Sequence, residues 1–403
     1  MRVGYFILYI IKQFIFNQTT GFMKILHSEN IQLLRNLAKE FVDKEIRPLA
    51  VQIDKEENIP EELIKKLGEV GLLGTAFPEK YGGGGFGEVG FCVAQEEVTK
   101  ACGSTAALIG AHQSIGANAI YIGGSEELKM KYLPSLTSGE RIAAFALTEA
   151  EAGSDAFNLQ TKAEFKNGKW ILNGEKIWIT NGAIADVFSV FARTDKGITG
   201  FVVERNFPGV NIGPDEKKLG IRGSRTNAIY FDNVEVPEEN MIGQNGRGFI
   251  TAMKTLDSGR IGIGACSVGG AKEILELSVN YANQRKQFGK PISSFQAIQF
   301  MLAEMATKIY AMESMLYRTA EKYDEGEDVT EDAAMVKLFC SEGVSEVADK
   351  ALQIHGGMGF SRELPIERFY RDARILRIFE GTSEIQKLII SRKTLKNKGR
   401  WKL

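Results

Sequence analysis

The residue of this 403-residue chain with the clearest potential to act as a base is Glu380. It precedes Gly381, and a glycine allows a ligand to approach the backbone closely. Ser383, followed three residues later by Gln386, has the spacing of a capping box, which predicts that a helix begins there. An isolated Glu-Gly pair is usually a solvated loop, so the interpretation of Glu380 depends on motifs elsewhere in the chain.

Two stretches in the middle of the chain could contact a planar cofactor. Residues 145–155 end a strand-like run in a polar loop, where backbone amides, Thr148 and Ser154 could hydrogen-bond carbonyls and a phosphate. Trp178 and Thr180 are predicted to share one side of a strand. The indole could stack on a flavin ring or fill the core of a β domain, and the sequence leaves both interpretations open.

Basic and glycine-rich residues in the last third of the chain could contact anionic groups. Arg260 is predicted near the start of a helix, where it could meet an anionic ligand or form a surface ion pair. Arg285, with Gln296 after it, could contact a pyrophosphate. Residues 353–357 predict a glycine turn whose amides could approach phosphates, although His355 by itself is more typical of a structural residue.

Composition and charge argue against several classes of function. The formal net charge of −1 gives no overall attraction to nucleic acid or to an anionic membrane. The four cysteines have neither metal nor redox spacing, and the three histidines lie far apart. No metal site is therefore predicted, and free thiols in a reducing compartment are favoured.

The first 23 residues are interpreted as an extension outside the fold. Residues 3–16 are strongly apolar, but this stretch is short for a membrane span and has no small-residue cleavage site. No stable membrane insertion is therefore expected, and an interfacial anchor is the alternative.

Hydrophobic periodicity predicts a mainly α fold with a β insert. Residues 24–144 have the periodicity of helices and form a predicted N-terminal helical domain. Residues 145–248 contain short strand-like runs separated by turn residues, which predict a central antiparallel β-barrel. Residues 249–398 return to helical periodicity and are predicted to form a C-terminal four-helix bundle, with helices over 261–284, 295–323, 330–353 and 383–393.

Local signals predict individual turns and helix ends. Ser28 is a predicted N-cap. The glycine-rich run 82–87 matches a dinucleotide-binding pattern by spacing alone, but prolines and charges precede it, so we predict a loop. The pairs Asn167-Gly168 and Asn173-Gly174 each predict a hairpin turn.

Six motifs that occur together resemble those of the acyl-CoA dehydrogenases. In chain order they are residues 148–155, 178–182, 285–289, 353–357, 370–373 and 380–383. The resemblance spans roughly residues 24–395 and is closest to the short-chain (butyryl-CoA) and short/branched-chain members. It implies a helical, β-barrel, helical-bundle subunit, noncovalently bound FAD and a homotetramer.

The resemblance also implies a reaction. Glu380 would remove the α-proton of a short or short-branched acyl-CoA thioester, and a hydride would pass from the β-carbon to flavin N5, giving the trans-2-enoyl-CoA. The Glu380 amide and a flavin hydroxyl would stabilise the enolate oxygen. Electrons would pass to electron-transfer flavoprotein, in the cytoplasm or, in a eukaryote, in the mitochondrial matrix. Burial beside an apolar acyl chain should raise the pKa of Glu380 toward the working pH.

Residue by residue, the resemblance assigns cofactor and substrate contacts and no metal ligand. The residues implied to contact FAD are Phe145, Ala146, Leu147, Thr148, Ser154, Trp178, Ile179, Thr180, Arg285, Gln296, Gln353, Ile354, His355, Gly356, Gly357, Thr382, Ser383 and Glu384. Those at 285, 296 and 353–357 would reach FAD across a subunit interface. The residues implied to line the acyl-CoA path are Ser154, Asp257, Ser258, Gly259, Arg260 and Gly381.

Some positions depart from the family pattern. Gly259 stands where a subgroup including isovaleryl-CoA dehydrogenase carries its base, which leaves Glu380 as the candidate. Ala150-Glu151 replaces a common Pro-Gly pair, and Phe379 stands where many members have tyrosine. Two alternatives remain open from the sequence: an acyl-CoA oxidase that uses oxygen, and a non-catalytic flavin- or CoA-binding protein.

Overall fold

The computed structural model describes Leu26 and residues 28–396, so the predicted extension 1–23 lies outside the described residues. The order of elements is helical, then β, then helical, as the periodicity predicts. Within residues 28–396, every helix is too short or too polar to cross a membrane.

The N-terminal part is a set of short helices around buried aliphatic side chains. Ser28 caps the first helix, because its Oγ accepts a hydrogen bond from the Ile31 amide (3.4 Å), as predicted. Residues 83–86 form a loop, which confirms the interpretation of the glycine run. The helices are α1 Glu29–Phe41, α2 Ala50–Glu56, α3 Glu61–Glu69, α4 Gly87–Thr99, α5 Gly103–Gly110, α6 Asn118–Gly123 and α7 Glu126–Thr137, and a π-helical turn, Ala111–Ala117, joins α5 to α6.

The central part is one sheet of eight strands. The strands are β1 Ala143–Ala146, β2 Lys162–Lys166, β3 Lys169–Thr180, β4 Val187–Thr194, β5 Gly197–Glu204, β6 Val210–Asp215, β7 Thr226–Pro237 and β8 Met241–Ile242. Their order is β6-β7-β3-β2-β4-β5-β8, with β1 pairing parallel to β4. Asn167 and Gly168, both with positive φ, make the predicted hairpin turn between β2 and β3.

The predicted barrel is wrong, because the sheet is open. Strands β6 and β8 end the strand order and do not pair with each other. Closure requires the two edges to meet with a fixed stagger, and the spacing of strands along the sequence does not encode that stagger. The second predicted hairpin is also wrong: Asn173-Gly174 lies inside β3, where the pairing with β7 shifts register. A glycine within a strand often marks such a bulge.

The C-terminal part contains three long helices that pack along one another and shorter helices on their surface. They are α8 Gly248–Gln284, α9 Gln296–Asp324, α10 Thr330–His355, α11 Gly357–Phe360, α12 Ile366–Ala373 and α13 Ser383–Lys396. The fourth predicted bundle helix is α13, which packs on α10. A two-stranded ribbon, β9 Lys286–Gln287 and β10 Lys290–Pro291, joins α8 to a 3₁₀ turn before α9.

The start of α13 differs from the predicted capping box. The Oγ1 atom of Thr382 accepts a hydrogen bond from the Ile385 amide (3.3 Å), so Thr382 caps the helix. The hydroxyl of Ser383 donates instead to Glu342 on α10 (2.6 Å), and the Gln386 amide turns back to the carbonyls of residues 380 and 381. Tertiary partners thus replace the local pairing that the sequence predicts.

Helix α4 belongs to the N-terminal part by sequence but shares its core with the C-terminal helices. Val89, Cys92 and Val93 lie in one buried cluster with Ile261 and Val336. A second cluster joins residues of α1 to α5 to the sheet. The four cysteines form no disulfide. The site described below lies where α4, α8, α10 and the segment before α13 meet.

Candidate active site

Glu380 lies between the 3₁₀ turn Arg374–Arg377 and α13. Its φ is 53°, and that of Gly381 is 96°. A left-handed backbone costs little for glycine but is strained for glutamate, so the surrounding contacts must hold it. The Oε2 atom of Glu380 is buried and has no hydrogen-bond partner among the described residues.

Helix α8 approaches the Glu380 carboxylate at Gly259. A Cβ atom at position 259 would clash with Oε2 of Glu380 and would lie 2.8 Å from Cγ2 of Ile115 on the π-helical turn. Only a residue without a side chain fits at position 259 while Glu380 holds this conformation. The two positions that the resemblance implies for a base, 259 and 380, are therefore adjacent in this structure.

Two buried cations face the carboxylate. Arg260, 4% exposed, donates from Nη1 to Oδ1 of Asp257 (2.8 Å), which excludes the interpretation of Arg260 as an exposed surface arginine. Lys337 is fully buried and donates from Nζ to the carbonyl oxygen of Gly381 (2.7 Å). Burial raises the pKa of Glu380 to about 7, and the nearby charges of Arg260 and Lys337 oppose that rise only in part.

The sequence analysis missed Lys337 and a second ionisable residue, Glu88. The hydroxyl of Ser258 donates to Oε2 of Glu88 (2.9 Å), and Oε1 of Glu88 has no partner among the described residues. Burial raises the pKa of Glu88 well above its usual range. Lys337 lies four residues after Ala333 and three before Cys340, so its position among apolar residues at helical spacing could have identified it. Nothing local distinguishes Glu88 from an ordinary first-turn glutamate.

The predicted flavin loop, residues 145–154, is attached to strand β3 by a buried ion pair. Lys176 is fully buried, and its Nζ donates to Glu149 (2.7 Å) and to the Leu147 carbonyl (3.0 Å). The Ile177 amide donates to the Thr148 carbonyl (2.9 Å). The structure therefore brings the loop and β3 together, through a pair that the sequence analysis did not single out.

Trp178 is 57% exposed, which excludes the interpretation of its indole as core packing. Its φ is 58°, and the pairing of β3 with β7 shifts between Lys176 and Ile179. The simple alternation assumed for Trp178 and Thr180 is thus interrupted by a bulge, which leaves Ile179 buried and presents the indole at the surface.

The groups around Trp178 suit a planar heterocycle with a phosphate tail. The hydroxyls of Thr148 and Thr180 are half-buried, and neither donates to another group within residues 28–396. Phe145 and Leu147 are buried beneath the loop. Ser154 is exposed, and a Cβ at Gly153 would meet nothing within 4 Å, so the loop leaves room for a ligand. Donors, an aromatic face and open space occur together, as FAD requires.

The third predicted group lies at the ends of the long C-terminal helices. Arg285, Gln296 and Gln353 are exposed, and within residues 28–396 no hydrogen bond or ion pair joins their side chains to the 145–154 loop or to Glu380. The His355 ring is buried and stacks on Tyr281, with centroids 4.4 Å apart, as expected of a structural residue.

Small residues keep this third surface open. A Cβ added to Gly356 or Gly357 would meet nothing within 4 Å. Ile354 is buried beneath them, and Glu384 is exposed at the start of α13. These residues are therefore open to a ligand in a single chain.

Comparisons with known proteins agree with this architecture. The family model described as "Acyl-CoA dehydrogenase, N-terminal domain" matches residues 28–140, the middle-domain model matches 144–234 and the C-terminal-domain model matches 246–395. A short-chain specific acyl-CoA dehydrogenase of Clostridium acetobutylicum is 43% identical over 367 residues, which cover 90% of this chain and 97% of the relative.

Solved structures also show similarity of sequence and fold to this chain. A chain from a structure of the electron transferring flavoprotein of Acidaminococcus fermentans is 43% identical, with a TM-score of 0.90 over 92% of this chain and 98% of that chain. An acyl-CoA dehydrogenase from Bacillus anthracis, solved in complex with FAD, is 40% identical, with a TM-score of 0.87 over 92% of this chain and 67% of that chain. The chain belongs to the acyl-CoA dehydrogenase family of oxidoreductases.

Proposed function

We propose that this protein is an FAD-dependent dehydrogenase of short or short-branched acyl-CoA thioesters, in which Glu380 is the catalytic base. The observation that carries this proposal is the Oε2 atom of Glu380, which is buried and has no hydrogen-bond partner in the described part of the chain, on a carboxyl group whose pKa is raised to about 7. A base works best when its pKa lies near the working pH and its lone pair is not already engaged.

FAD is the cofactor, and the 145–154 loop with Trp178 and Thr180 offers the donors and the aromatic face to hold it. When bound, FAD supplies the acceptor for the hydride that leaves the β-carbon. Thr382, Ser383 and Glu384 are proposed contacts from the start of α13, and Arg285, Gln296 and residues 353–357 from a neighbouring subunit. The exposure of this last group in a single chain supports a site that spans two subunits.

The substrate is proposed to lie along α8, with residues 257–260, Ser154 and Gly381 on its path. Glu380 accepts the α-proton at its carboxylate, and the Glu380 backbone amide donates to the thioester oxygen as negative charge develops there. Arg260 and Lys337 stabilise the charged form of the base between turnovers. The short-chain relative supports the proposed chain length.

Electron-transfer flavoprotein is the proposed acceptor, and the likeness to a chain from a structure of such a protein supports it. An oxygen-using acyl-CoA oxidase is the other candidate. The two are separated by supplying reduced enzyme with either acceptor: a dehydrogenase reoxidises quickly with the flavoprotein and slowly in an oxygen electrode cell, and an oxidase does the reverse.

The role of Glu380 is tested by anaerobic mixing of FAD-loaded protein with butyryl-CoA. The wild-type protein should lose its oxidised flavin absorbance within the mixing experiment. Glu380→Gln should bind FAD and substrate but reduce the flavin between about 10²- and 10⁴-fold more slowly, because it lacks the proton acceptor. Near-wild-type flavin reduction by Glu380→Gln would refute the assignment.

A further inference from the structure

Lys337 is a buried cation that forms no ion pair with any residue of the described range 28–396. Its side chain on α10 is fully buried, a rare state for lysine, which normally keeps its ammonium group in water. Within residues 28–396, no carboxylate lies within ion-pair distance of its Nζ, and the one oxygen to which it donates is the Gly381 carbonyl (2.7 Å). This arrangement is costly unless the ammonium group serves another purpose.

That hydrogen bond holds one of the two left-handed residues at the site. The Gly381 carbonyl also accepts from Nε2 of Gln386 (2.8 Å), which reaches the Glu380 carbonyl as well (3.2 Å). Donors from two different helices, α10 and α13, thus fix the carbonyl group of Gly381, the residue that follows Glu380. Since Glu380 is strained at a φ of 53°, the direction of its carboxylate depends on this attachment.

Helix α10 also holds both sides of the same segment through Glu342. Arg377 lies 2.7 Å from Oε2 of Glu342, and the hydroxyl of Ser383 donates to its Oε1 (2.6 Å). Helix α10 therefore contacts this segment at Arg377, Gly381 and Ser383. The contact from Lys337 is the middle one, and it is made to the residue next to Glu380.

The charge of Lys337 acts on the same carboxylate. The other charged groups that face Glu380 or Lys337 are Arg260 from α8, Glu88 from α4, Glu342 from α10 and Glu384 from α13. Glu342 is engaged by Arg377, and Glu384 is exposed. Burial raises the pKa of Glu88 well above its usual range, which favours its neutral form. The two cations thus act mainly on the one carboxylate that must ionise.

We propose that Lys337 is a positioning residue for the reaction: its ammonium group fixes the Gly381 peptide, keeps the Glu380 carboxylate against Gly259 and stabilises its ionised form. This inference rests on the proposed function of Glu380. The Lys337 side chain would make two contributions: its hydrogen bond would set the direction of the Glu380 carboxylate, and its charge would set the basicity of that carboxylate.

Three variants separate these contributions. Lys337→Met keeps the length of the side chain but removes both donor and charge; Lys337→Gln keeps a donor without the charge; Lys337→Arg keeps both. The measurement is the pH profile of kcat/KM for butyryl-CoA with FAD-loaded enzyme, which reports the free base. Lys350→Met is the matched control, because Lys350 lies on the same helix but pairs with Glu304 on α9.

In Lys337→Met, kcat/KM at pH 7 should fall about 10²-fold, as expected when a catalytic group is misplaced by about 1 Å. The acidic limb of the profile should also move to higher pH by about one unit, since loss of a nearby cation disfavours the carboxylate. Lys337→Gln should show the same shift with a smaller loss at high pH. Lys337→Arg and Lys350→Met should retain the wild-type profile.

The inference is overturned if Lys337→Met and Lys337→Gln, folded and with FAD bound, superpose on the wild-type profile. If Lys337→Met does not fold, Lys337→Gln alone tests the inference, because loss of the charge must still shift the acidic limb of the kcat/KM profile. A wild-type protein whose flavin is not reduced by any acyl-CoA would instead refute the proposed function. The two failures are therefore distinguishable.

Discussion

A carboxylate can serve as a base only when its proton affinity is close to the working pH, and burial sets that affinity for Glu380. Its unpartnered Oε2 atom lies against Gly259, while Arg260 and Lys337 keep the rise in pKa moderate. Without these cations, the pKa of the Glu380 carboxyl group would rise further, and a smaller fraction of it would be ionised at neutral pH.

The pKa of about 7 predicts the pH dependence of the reaction. Only the ionised form of Glu380 accepts a proton, so activity is present above the pKa and is lost as pH falls through it. The rate of flavin reduction by butyryl-CoA should fall about tenfold per pH unit below pH 7 and level off above it. A rate that stays constant between pH 5 and 7 would contradict the assignment.

Gly259→Ala should disturb the base without removing any functional group. The added Cβ would displace the Glu380 carboxylate, so flavin reduction should slow by about 10²-fold while FAD remains bound. Gly270→Ala is the matched control on the same helix, because its Cβ would meet neighbours only at 3.7 Å or more. Equal rates in the two variants, measured by stopped-flow absorbance, would count against the geometry described.

At the scale of elements, strand β3 and the loop before it form one unit. The buried pair Lys176–Glu149 joins them, and Glu149 also accepts from the amides of Gln160 and Thr161. This unit presents Trp178 and the loop hydroxyls on the same side of the molecule. Its rigidity should matter more for holding FAD than for proton transfer.

Lys176→Met should therefore weaken FAD binding and destabilise the protein. It leaves Glu149 buried without its cation, a change that costs about 3–5 kcal/mol in comparable pairs. Lys169→Met, in the same strand, removes an exposed pair with Glu235 and should cost no more than about 1 kcal/mol. Urea unfolding and FAD titration of both variants make the test, and equal losses in the two would contradict this account.

Sequence alone predicts elements where the signal is local. The Ser28 cap and the Asn167-Gly168 turn each depend on neighbouring residues. Prediction from the sequence fails where a structural feature depends on residues that are distant along the chain. Register and closure of the sheet, the cap at Thr382, and the approach of Lys337 to Gly381 are all set by packing between elements.

At the scale of the molecule, a single chain leaves large apolar side chains in solvent. Phe288, Tyr310 and Phe360, all in the C-terminal part, are 92%, 75% and 81% exposed. Large exposed apolar side chains are candidates for burial in an interface. The proposed homotetramer would cover them and would bring the open surface at residues 353–357 to the cofactor of a neighbour.

Light scattering coupled to size-exclusion chromatography should give a mass near four times 44.5 kDa for the FAD-loaded protein. Because FAD is proposed to bridge two subunits, removal of FAD should lower the fraction of tetramer. A protein that binds FAD fully at the mass of one chain would contradict a site shared between subunits.

The exposed indole of Trp178 gives the protein a built-in optical reporter. Trp170 is buried against Phe165 and Phe201, so its emission should be blue-shifted and insensitive to solvent. Trp178 should emit at longer wavelength when FAD is absent and be quenched by energy transfer when FAD stacks beside it. The difference between wild type and Trp178→Phe would then count occupied flavin sites by fluorescence, before any substrate is added.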